Sequence, residues 1–284
     1  MPNDSPAKTT ISRVDLTVSD LAKSLDFYTS ALGFRILKQA DSQALLGAGT
    51  TNALLALHDD PQAKPAPGST GLYHFAVRLP TRQALAQLVY HLALKEVPIQ
   101  GFGDHGASES VYLVDPQGNG IEMYRDRPEN QWQRDDKGQL QMGTDEVDLD
   151  DLLKLVRPEK AWSGLPEGSS IGHVHLHVAD LEQSIAFYRD ILGMHLTQRY
   201  GSSAAFLAFG GYHHHIGINT WAGKDAPPPP AGSAGLRSID LLVTADGVEA
   251  VKERLAGAGW SFQTEAGGLI IEDPSQNTLR VMPA

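Results

Sequence analysis

The chain contains no cysteine, so it can form neither a disulfide bond nor a thiolate metal site. It also has no apolar run near the roughly 20 residues that span a bilayer, and its first ten residues lack the apolar core of a signal peptide. Acidic residues outnumber basic ones, and the formal net charge of −11 argues against nucleic acid or an anionic membrane as a partner. We therefore expect a soluble cytoplasmic protein, which the lack of cysteine also suits.

What the sequence does contain is an internal repeat, in which segment 11–34 recurs at 171–194. Each copy begins with the alternation of apolar and other residues that is typical of a strand with one buried face. An amphipathic helix follows, with apolar positions spaced i, i+4, i+7 and i+11, and a glycine ends it. The positions of the first copy that recur identically in the second include Val14, Leu16, Val18, Asp20, Leu21, Ser24, Phe27, Tyr28, Leu32 and Gly33.

Each copy opens a longer unit with the order strand, helix and three strands (βαβββ). Two further segments have this outline, with helices near 81–94 and 246–257, and both end in a hairpin with an Asp-Pro-x-x-Asn turn. The sequence thus predicts four βαβββ units, numbered one to four, at 11–60, 71–125, 171–220 and 235–284. Units one and two form an N-terminal module (1–125), and units three and four form a C-terminal module (171–284). Residues 126–170 connect the modules and hold a short helix near 148–156.

Four such units resemble the vicinal-oxygen-chelate superfamily, to which glyoxalases, bleomycin-resistance proteins and extradiol dioxygenases belong. The resemblance covers nearly the whole chain and implies an α+β fold, with curved mixed β-sheets around a cleft and helices outside. A restrictive motif in unit two is similar to the signature of extradiol ring-cleavage dioxygenases at every position. It comprises Gly103-Asp-His105, Val111-Tyr112, Asp115-Pro-Gln-Gly118 and Glu122. This resemblance implies that Glu122 binds a metal ion and that His105 and Tyr112 are catalytic groups beside it.

A row of histidines on the predicted strand 171–178 points to the same kind of site. His173, His175 and His177 share one face, because side chains alternate between the two faces of a strand. Three imidazoles on one face are costly in a dry core and favour a polar cleft. A solvated sheet face with incidental histidines is the alternative.

The extradiol family holds its metal ion with two histidines and one glutamate. The resemblance places one histidine on the first strand of the unit that contains Glu122, and this position is His74. Unit three supplies His173 at the position of the other histidine. We therefore predict one metal site, His74, Glu122 and His173, built across the two halves of the chain as in glyoxalase-like members of the superfamily.

The remaining pair of units, one and four, lacks these ligands. Arg13, Ser238 and Arg280 occupy the corresponding positions. Two guanidinium groups and a hydroxyl cannot hold a divalent cation, since guanidinium groups are always protonated. We predict a degenerate cleft there.

The motif GGYHHHIGINTW (210–221) covers the predicted last strand of unit three, 213–219. Alternation along this strand puts His213, His215 and Asn219 on one face. Extradiol enzymes carry an acid–base histidine on the equivalent strand, so the resemblance gives that role to His215, with His213 in reserve. Residues His175, His213 and Asn219 are expected to line the substrate pocket. The alternative for the three successive histidines is a strand end exposed to solvent.

Two imidazoles and one carboxylate leave coordination positions open, which suits Fe(II), with Mn(II) as a second choice and zinc disfavoured. The resemblance then implies extradiol cleavage of a small catechol-type aromatic diol by O₂. Two other classes stay open: a metal-dependent lyase or isomerase of the glyoxalase type, and a metal-free small-molecule binding protein. The identity of the diol is open as well, and so is assembly into a homo-oligomer.

Overall fold

The structure is a computed structural model that describes residues 9–49, 51–136 and 139–284. Within these ranges sixteen strands form two curved, mixed eight-stranded sheets, and the order strand, helix and three strands occurs four times. The four predicted βαβββ units are therefore confirmed.

The first half of the chain contains units one and two. Unit one comprises β1 (Thr10–Val18), α1 (Leu21–Asp26), a π-helical turn (Phe27–Ala31), β2 (Arg35–Ala40), β3 (Gln43–Gly47) and β4 (Ala53–Asp59). Unit two comprises β5 (Gly71–Arg78), α2 (Arg82–Leu94), β6 (Gly101–Asp104), β7 (Ser108–Val114) and β8 (Gly120–Asp126). The connection then holds a 3₁₀ turn (Glu129–Gln131) and α3 (Leu149–Leu153), which is shorter than the helix predicted at 148–156.

The second half repeats the pattern. Unit three comprises β9 (Ser170–His177), α4 (Leu181–Ala186), a π-helical turn (Phe187–Ile191), β10 (His195–Tyr200), β11 (Ala204–Ala208) and β12 (Ile216–Asn219). Unit four comprises β13 (Gly235–Val243), α5 (Ala245–Gly257), β14 (Gln263–Glu265), β15 (Gly268–Glu272) and β16 (Thr278–Pro283).

The two sheets join units from different halves of the chain. The first sheet has the order β14-β15-β16-β13-β1-β4-β3-β2 and consists of units four and one. The second has the order β10-β11-β12-β9-β5-β8-β7-β6 and consists of units three and two. The joins are the antiparallel pairs β1–β13 and β5–β9, so each sheet needs both halves of the sequence.

Matching helices follow the first strands of units one and three. Asp20 and Asp180 cap them, each accepting a hydrogen bond from a backbone N–H three residues later. The apolar stripe predicted one continuous helix in each unit, and the structure divides it into an α-helical turn and a π-helical turn. Gly33 and Gly193 follow with φ of +81°, a conformation that a residue with a Cβ rarely adopts.

Buried tyrosine–aspartate hydrogen bonds tie each of these helices to the next unit. Tyr28 donates to Asp115 at 2.8 Å, and Tyr188 donates to Asp273 at 2.9 Å. Both aspartates belong to the Asp-Pro-x-x-Asn turns and also accept from the turn asparagine, Asn119 or Asn277. Because units one and two lie in different sheets, as do units three and four, each bond links the two sheets.

One predicted strand is wrong at its start. The last strand of unit three was expected at 213–219, but β12 begins at Ile216. His213, His214 and His215 lie in the loop before it, where no alternation of faces applies.

No helix among the described residues combines the length and apolar character required to span a bilayer.

Replacing Tyr28 or Tyr188 by phenylalanine should lower the stability of the fold. Each change removes one hydrogen bond to a buried carboxyl group, which we expect to destabilise the protein by about 1–3 kcal/mol. The measurement is the urea midpoint of unfolding, with Tyr200→Phe as the control, because Tyr200 is 55% exposed. An unchanged midpoint in both core variants would contradict the role given to these bonds.

Candidate metal centre

The register of three neighbouring strands brings the predicted ligands to one face of the second sheet. Ala76 on β5 lies opposite Glu122 on β8 and opposite His173 on β9. His74 lies two residues before Ala76 and therefore projects from the same face. All three ligand side chains are buried: His74 is 7% exposed, and Glu122 and His173 are 2% exposed.

The distances between these groups fit a metal site. Glu122 Oε2 lies 3.2 Å from His74 Nε2 and 3.0 Å from His173 Nε2, and one ligand atom from each residue lies within 4.8 Å of the other two. The second oxygen, Glu122 Oε1, accepts a hydrogen bond from Ser110 at 2.6 Å. Among the described residues no other group of three or more His, Asp and Glu side chains has ligand atoms this close to one another.

The protonation states also suit a cation. Burial lowers the pKa of His173 to about 4, so this imidazole is neutral at neutral pH and its lone pair is available. Burial alone would raise the pKa of Glu122, but His173 and His74 outweigh it and hold that pKa well below its ordinary value. His74 Nε2 is buried and forms no hydrogen bond of acceptable angle, although Glu122 Oε2 lies 3.2 Å away, as expected of an atom placed to bind a metal ion. The set of two imidazole nitrogens and one carboxylate oxygen therefore fits a divalent transition metal with open positions.

His173 departs from the usual surroundings of a metal-binding histidine. Its Nδ1 has no hydrogen-bond partner among the described residues, whereas such a nitrogen normally donates to a carbonyl or carboxylate. Ring contacts orient the imidazole instead: its centroid lies 4.1 Å from that of His214 and 5.1 Å from that of Tyr124. A side chain at Gly172 would collide with Tyr124, so the glycine makes this contact possible.

The two other residues of the motif form a hydrogen-bonded pair beside the ligands. His105 Nε2 lies 2.6 Å from the Tyr112 hydroxyl, and His105 Nδ1 lies 2.8 Å from the carbonyl oxygen of Gly143. A carbonyl only accepts, so Nδ1 carries the proton and Tyr112 donates to Nε2. Burial, followed by the charge of Glu122, raises the pKa of Tyr112 well above its ordinary value, which keeps the phenol protonated.

The ligands and the His105–Tyr112 pair lie on the wall of one cavity of about 480 Å³, referred to below as the metal-site cavity. His175 lines it too, with an unpartnered Nε2 and a pKa that burial holds well below its ordinary value. Its neighbour across the strands is Gly217, where any side chain would collide with the ring. The remaining lining residues are Tyr73, Phe102, Ser108, Met142, Gly143, Thr144, Gln198, Tyr200, Phe206, His214 and Trp221.

The structure separates the three successive histidines. His214 lines the metal-site cavity and packs on His173. His215, which the sequence favoured as the acid–base residue, lines a different cavity and accepts a hydrogen bond from the Phe209 backbone at 3.2 Å. His213 lies behind His214, and their Nδ1 atoms are 2.8 Å apart. The sequence placed His213 and His215 on one face of a strand that carries the acid–base histidine in the extradiol family, and the strand does not extend to these residues.

A carboxylate completes this arrangement. His213 Nε2 lies 3.0 Å from Oδ1 of Asp126, the last residue of β8. Asp126 thus contacts His213, which contacts His214, whose ring faces the metal-site cavity. Sequence reasoning missed both Asp126 and His214, although the unusual run of three histidines marked the segment.

Asn219 was expected to line the substrate pocket, but it lies behind the pocket wall. It is fully buried, and its Oδ1 accepts from His177 Nδ1 at 2.7 Å and from the Trp221 backbone at 3.0 Å. It supports Trp221, which does line the cavity.

The corresponding part of the first sheet holds salt bridges. Arg13 lies 2.5 Å from Asp15 and 2.9 Å from Asp240, and Arg280 lies 3.0 Å from Glu265. Ser238, the third predicted position, is buried on β13. At this position of the first sheet, the guanidinium groups of Arg13 and Arg280 form ion pairs with carboxylates.

The chain is similar to known proteins over most of its length. The sequence profile of the Glyoxalase/Bleomycin resistance protein/Dioxygenase superfamily matches residues 10–123 and 170–281. Catechol-2,3-dioxygenase of Bacillus subtilis (strain 168) is 44% identical over 275 residues, which cover 94% of this chain and 94% of that protein. A lactoylglutathione lyase of Arabidopsis thaliana is 22% identical over 276 residues, covering 89% and 81% of the two chains. Glyoxalase I of Zea mays has a similar structure, with a TM-score of 0.60 at 19% identity over 97% of this chain and 92% of that chain.

The chain therefore belongs to the glyoxalase/bleomycin resistance/dioxygenase superfamily, whose repeated βαβββ fold it has. The similarity to the catechol-2,3-dioxygenase extends over nearly the full length of both proteins, so it includes both halves of the chain that contribute to the His74–Glu122–His173 group.

Removing a ligand should abolish metal binding. We expect His74→Ala, Glu122→Ala and His173→Ala each to weaken Fe(II) binding by at least about 100-fold, since even outer-shell changes cost about 10–100-fold. The measurement is anaerobic Fe(II) titration followed by metal analysis, with one ion per chain expected for the unaltered protein. Arg13→Ala is the matched control, because Arg13 holds the position of His173 in the first repeat copy. Full occupancy in the three ligand variants would contradict the site.

Proposed function

We propose that this protein is a non-haem Fe(II)-dependent extradiol dioxygenase that opens the ring of a catechol-type diol with O₂. The observation that carries the proposal is the buried His74–Glu122–His173 group beside the His105–Tyr112 pair in one cavity. The identity of 44% to a catechol-2,3-dioxygenase supports it.

His74, Glu122 and His173 would hold the metal ion. A bound Fe(II), or Mn(II) in its place, would supply a Lewis-acidic centre with open positions for the diol and for O₂. The carboxylate of Glu122 leaves the site with one remaining positive charge, which favours binding of an ionised diol oxygen.

Tyr112 is placed to accept a hydrogen bond from the diol. The Tyr112 hydroxyl donates its proton to His105 Nε2 at 2.6 Å, so the lone pairs of its oxygen can accept a hydrogen bond from another group. The carbonyl of Gly143 holds His105 in the required tautomer. The pair thus orients a substrate hydroxyl without giving up a proton.

His214 is the residue we propose as acid–base catalyst, in place of His215. The carboxylate of Asp126 only accepts, so His213 carries its proton on Nε2 and presents a bare Nδ1 to His214. His214 must then donate from its own Nδ1, which leaves Nε2 as the basic nitrogen. A neutral imidazole of this tautomer at the cavity wall can take a diol proton and return it later.

The lyase or isomerase alternative is less well supported. Such enzymes commonly use a second carboxylate on the metal, and Glu122 is the one carboxylate among the described residues that line the metal-site cavity. The metal-free binding alternative leaves the buried ligand group unexplained.

Anaerobic reconstitution tests the reaction directly. With Fe(II) bound, admitting air to the protein and catechol should consume one O₂ for each catechol and give a yellow ring-opened product. Oxygen uptake and absorbance are recorded together, and a parallel sample reconstituted with Mn(II) identifies the metal that supports turnover. Bound metal without O₂ uptake for any catechol would refute the dioxygenase proposal and favour the lyase or isomerase class.

A pair of adjacent substitutions tests the assignment of the base. His214→Ala should keep the metal ion and lower turnover by about 10²–10⁴-fold, the usual contribution of positioned acid–base catalysis. His215→Ala is the matched control, since His215 lines the other cavity, and its loss should be much smaller. A larger loss of turnover in His215→Ala than in His214→Ala would reverse the assignment.

A further inference from the structure

Exposed aromatic side chains surround the metal-site cavity at its outer end. The described residues include seven exposed large hydrophobic side chains, and three of them line this cavity: Tyr73, Tyr200 and Trp221, which are 40%, 55% and 48% exposed. They are called the aromatic rim below. The chemistry proposed above uses none of them, and apolar groups concentrated at a cavity commonly mark a binding surface.

The rim is held in place. The rings of Tyr73 and Trp221 meet edge to face at 5.2 Å, and Trp221 Nε1 donates to the Ser203 hydroxyl at 3.2 Å. The backbone N–H of Trp221 is bound by buried Asn219, which explains why an asparagine lies behind the pocket wall. Rigid aromatic groups bind ligands well because they lose little conformational entropy on contact.

Apolar side chains continue from the rim towards the metal ligands. Phe102, Phe206 and Met142 line the same cavity, and the ring of Phe206 lies 5.6 Å from that of His175 and 4.9 Å from that of His214. Gln198 fixes the Met142 segment through two hydrogen bonds, accepting from the Met142 N–H at 3.0 Å and donating to its carbonyl at 2.8 Å. This wall is therefore built from both units and from the connection.

The described lining of the cavity has no cationic side chain that would pair with an anion away from the metal. None of the described residues that line it is a lysine or an arginine. Arg13 and Arg78 line the other, larger cavity, which holds His215. A carboxylate on the substrate would lose hydration against the aromatic rings without gaining a cationic partner, which is unfavourable.

The size of the cavity agrees with a substituted ring. About 480 Å³ lies in the range of roughly 300–1,000 Å³ typical of drug-sized ligands, and unsubstituted catechol is much smaller than these. A diol bound at the ligands would leave the apolar wall and the rim free for a ring substituent.

We propose that the aromatic rim selects diols that carry an uncharged apolar substituent, and that it rejects those that carry a carboxylate. The inference rests on the proposed function, because it assumes that the diol binds at the metal ligands. It makes Tyr200 and Trp221 specificity-determining residues.

Two substrates of nearly equal shape test this preference. The isopropylcatechol used is the 4-isomer, because protocatechuate carries its carboxylate at the same ring position. Both substituents are branched groups of three heavy atoms, apolar in isopropylcatechol and anionic in protocatechuate. We expect kcat/KM to be at least about tenfold higher for isopropylcatechol than for catechol, the lower end of what one methylene contributes in a fitted pocket, and lowest for protocatechuate. Equal or higher kcat/KM for protocatechuate would overturn the inference.

Variants of the rim give a second readout. Trp221→Ala and Tyr200→Ala should each lower the isopropylcatechol-to-catechol ratio of kcat/KM by severalfold. Leu94→Ala removes a large side chain that is 66% exposed on α2, outside the cavity, and should leave the ratio unchanged. Tyr200→Arg supplies a cation at the rim and should raise kcat/KM for protocatechuate about tenfold relative to isopropylcatechol. Ratios that stay the same in all three rim variants would contradict the role of the rim.

Binding without turnover separates this inference from the proposed function. Anaerobic calorimetry of the Fe(II)-loaded protein should give a lower Kd for isopropylcatechol than for protocatechuate, whether or not air later produces cleavage. If no catechol is cleaved but this order holds, the dioxygenase proposal fails and the preference stands. If catechol is cleaved but the order is reversed, the preference fails alone.

Discussion

The antiparallel pairing of β5 with β9 is the contact on which the metal centre depends. These strands come from opposite halves of the chain, and their register places His173 opposite Ala76, which has Glu122 on its other side. A register shift of one residue would turn the ligands of one strand to the other face of the sheet. Ala76 lies on β5, between Glu122 on β8 and His173 on β9, and His74 on β5 completes the group.

The first sheet shows what the same backbone does with different side chains. β1 pairs with β13 as β9 pairs with β5, and Arg13 lies opposite Asp240 where His173 lies opposite Ala76. The guanidinium of Arg13 is paired with Asp15 and Asp240 at hydrogen-bond distances. The second sheet therefore holds a group of side chains that could bind a metal cation, whereas in the first sheet the guanidinium of Arg13 is itself the cation. The fold permits a site in either sheet, and the side chains decide which sheet has it.

The four units and the proximity of His74, Glu122 and His173 could be predicted from the sequence, because each follows from a spacing that repeats or that matches a long motif. Pairing of units across the halves also followed, since only units two and three together supply this group. The positions of the three successive histidines could not be predicted in the same way. Alternation was extended over His213–His215, whereas β12 begins at Ile216 and a loop has no period. The role of Asp126 and the exposure of Tyr73 and Trp221 depend on tertiary packing, which local sequence does not reveal.

We expect one metal ion between units two and three and none between units one and four. A crystal structure of the Fe(II)-loaded protein, with anomalous diffraction measured at the iron absorption edge, would locate the bound ion. One anomalous peak per chain is expected, within bonding distance of His74, Glu122 and His173. A peak beside Arg13 and Arg280, or no peak at the three residues in protein saturated with Fe(II), would contradict this expectation.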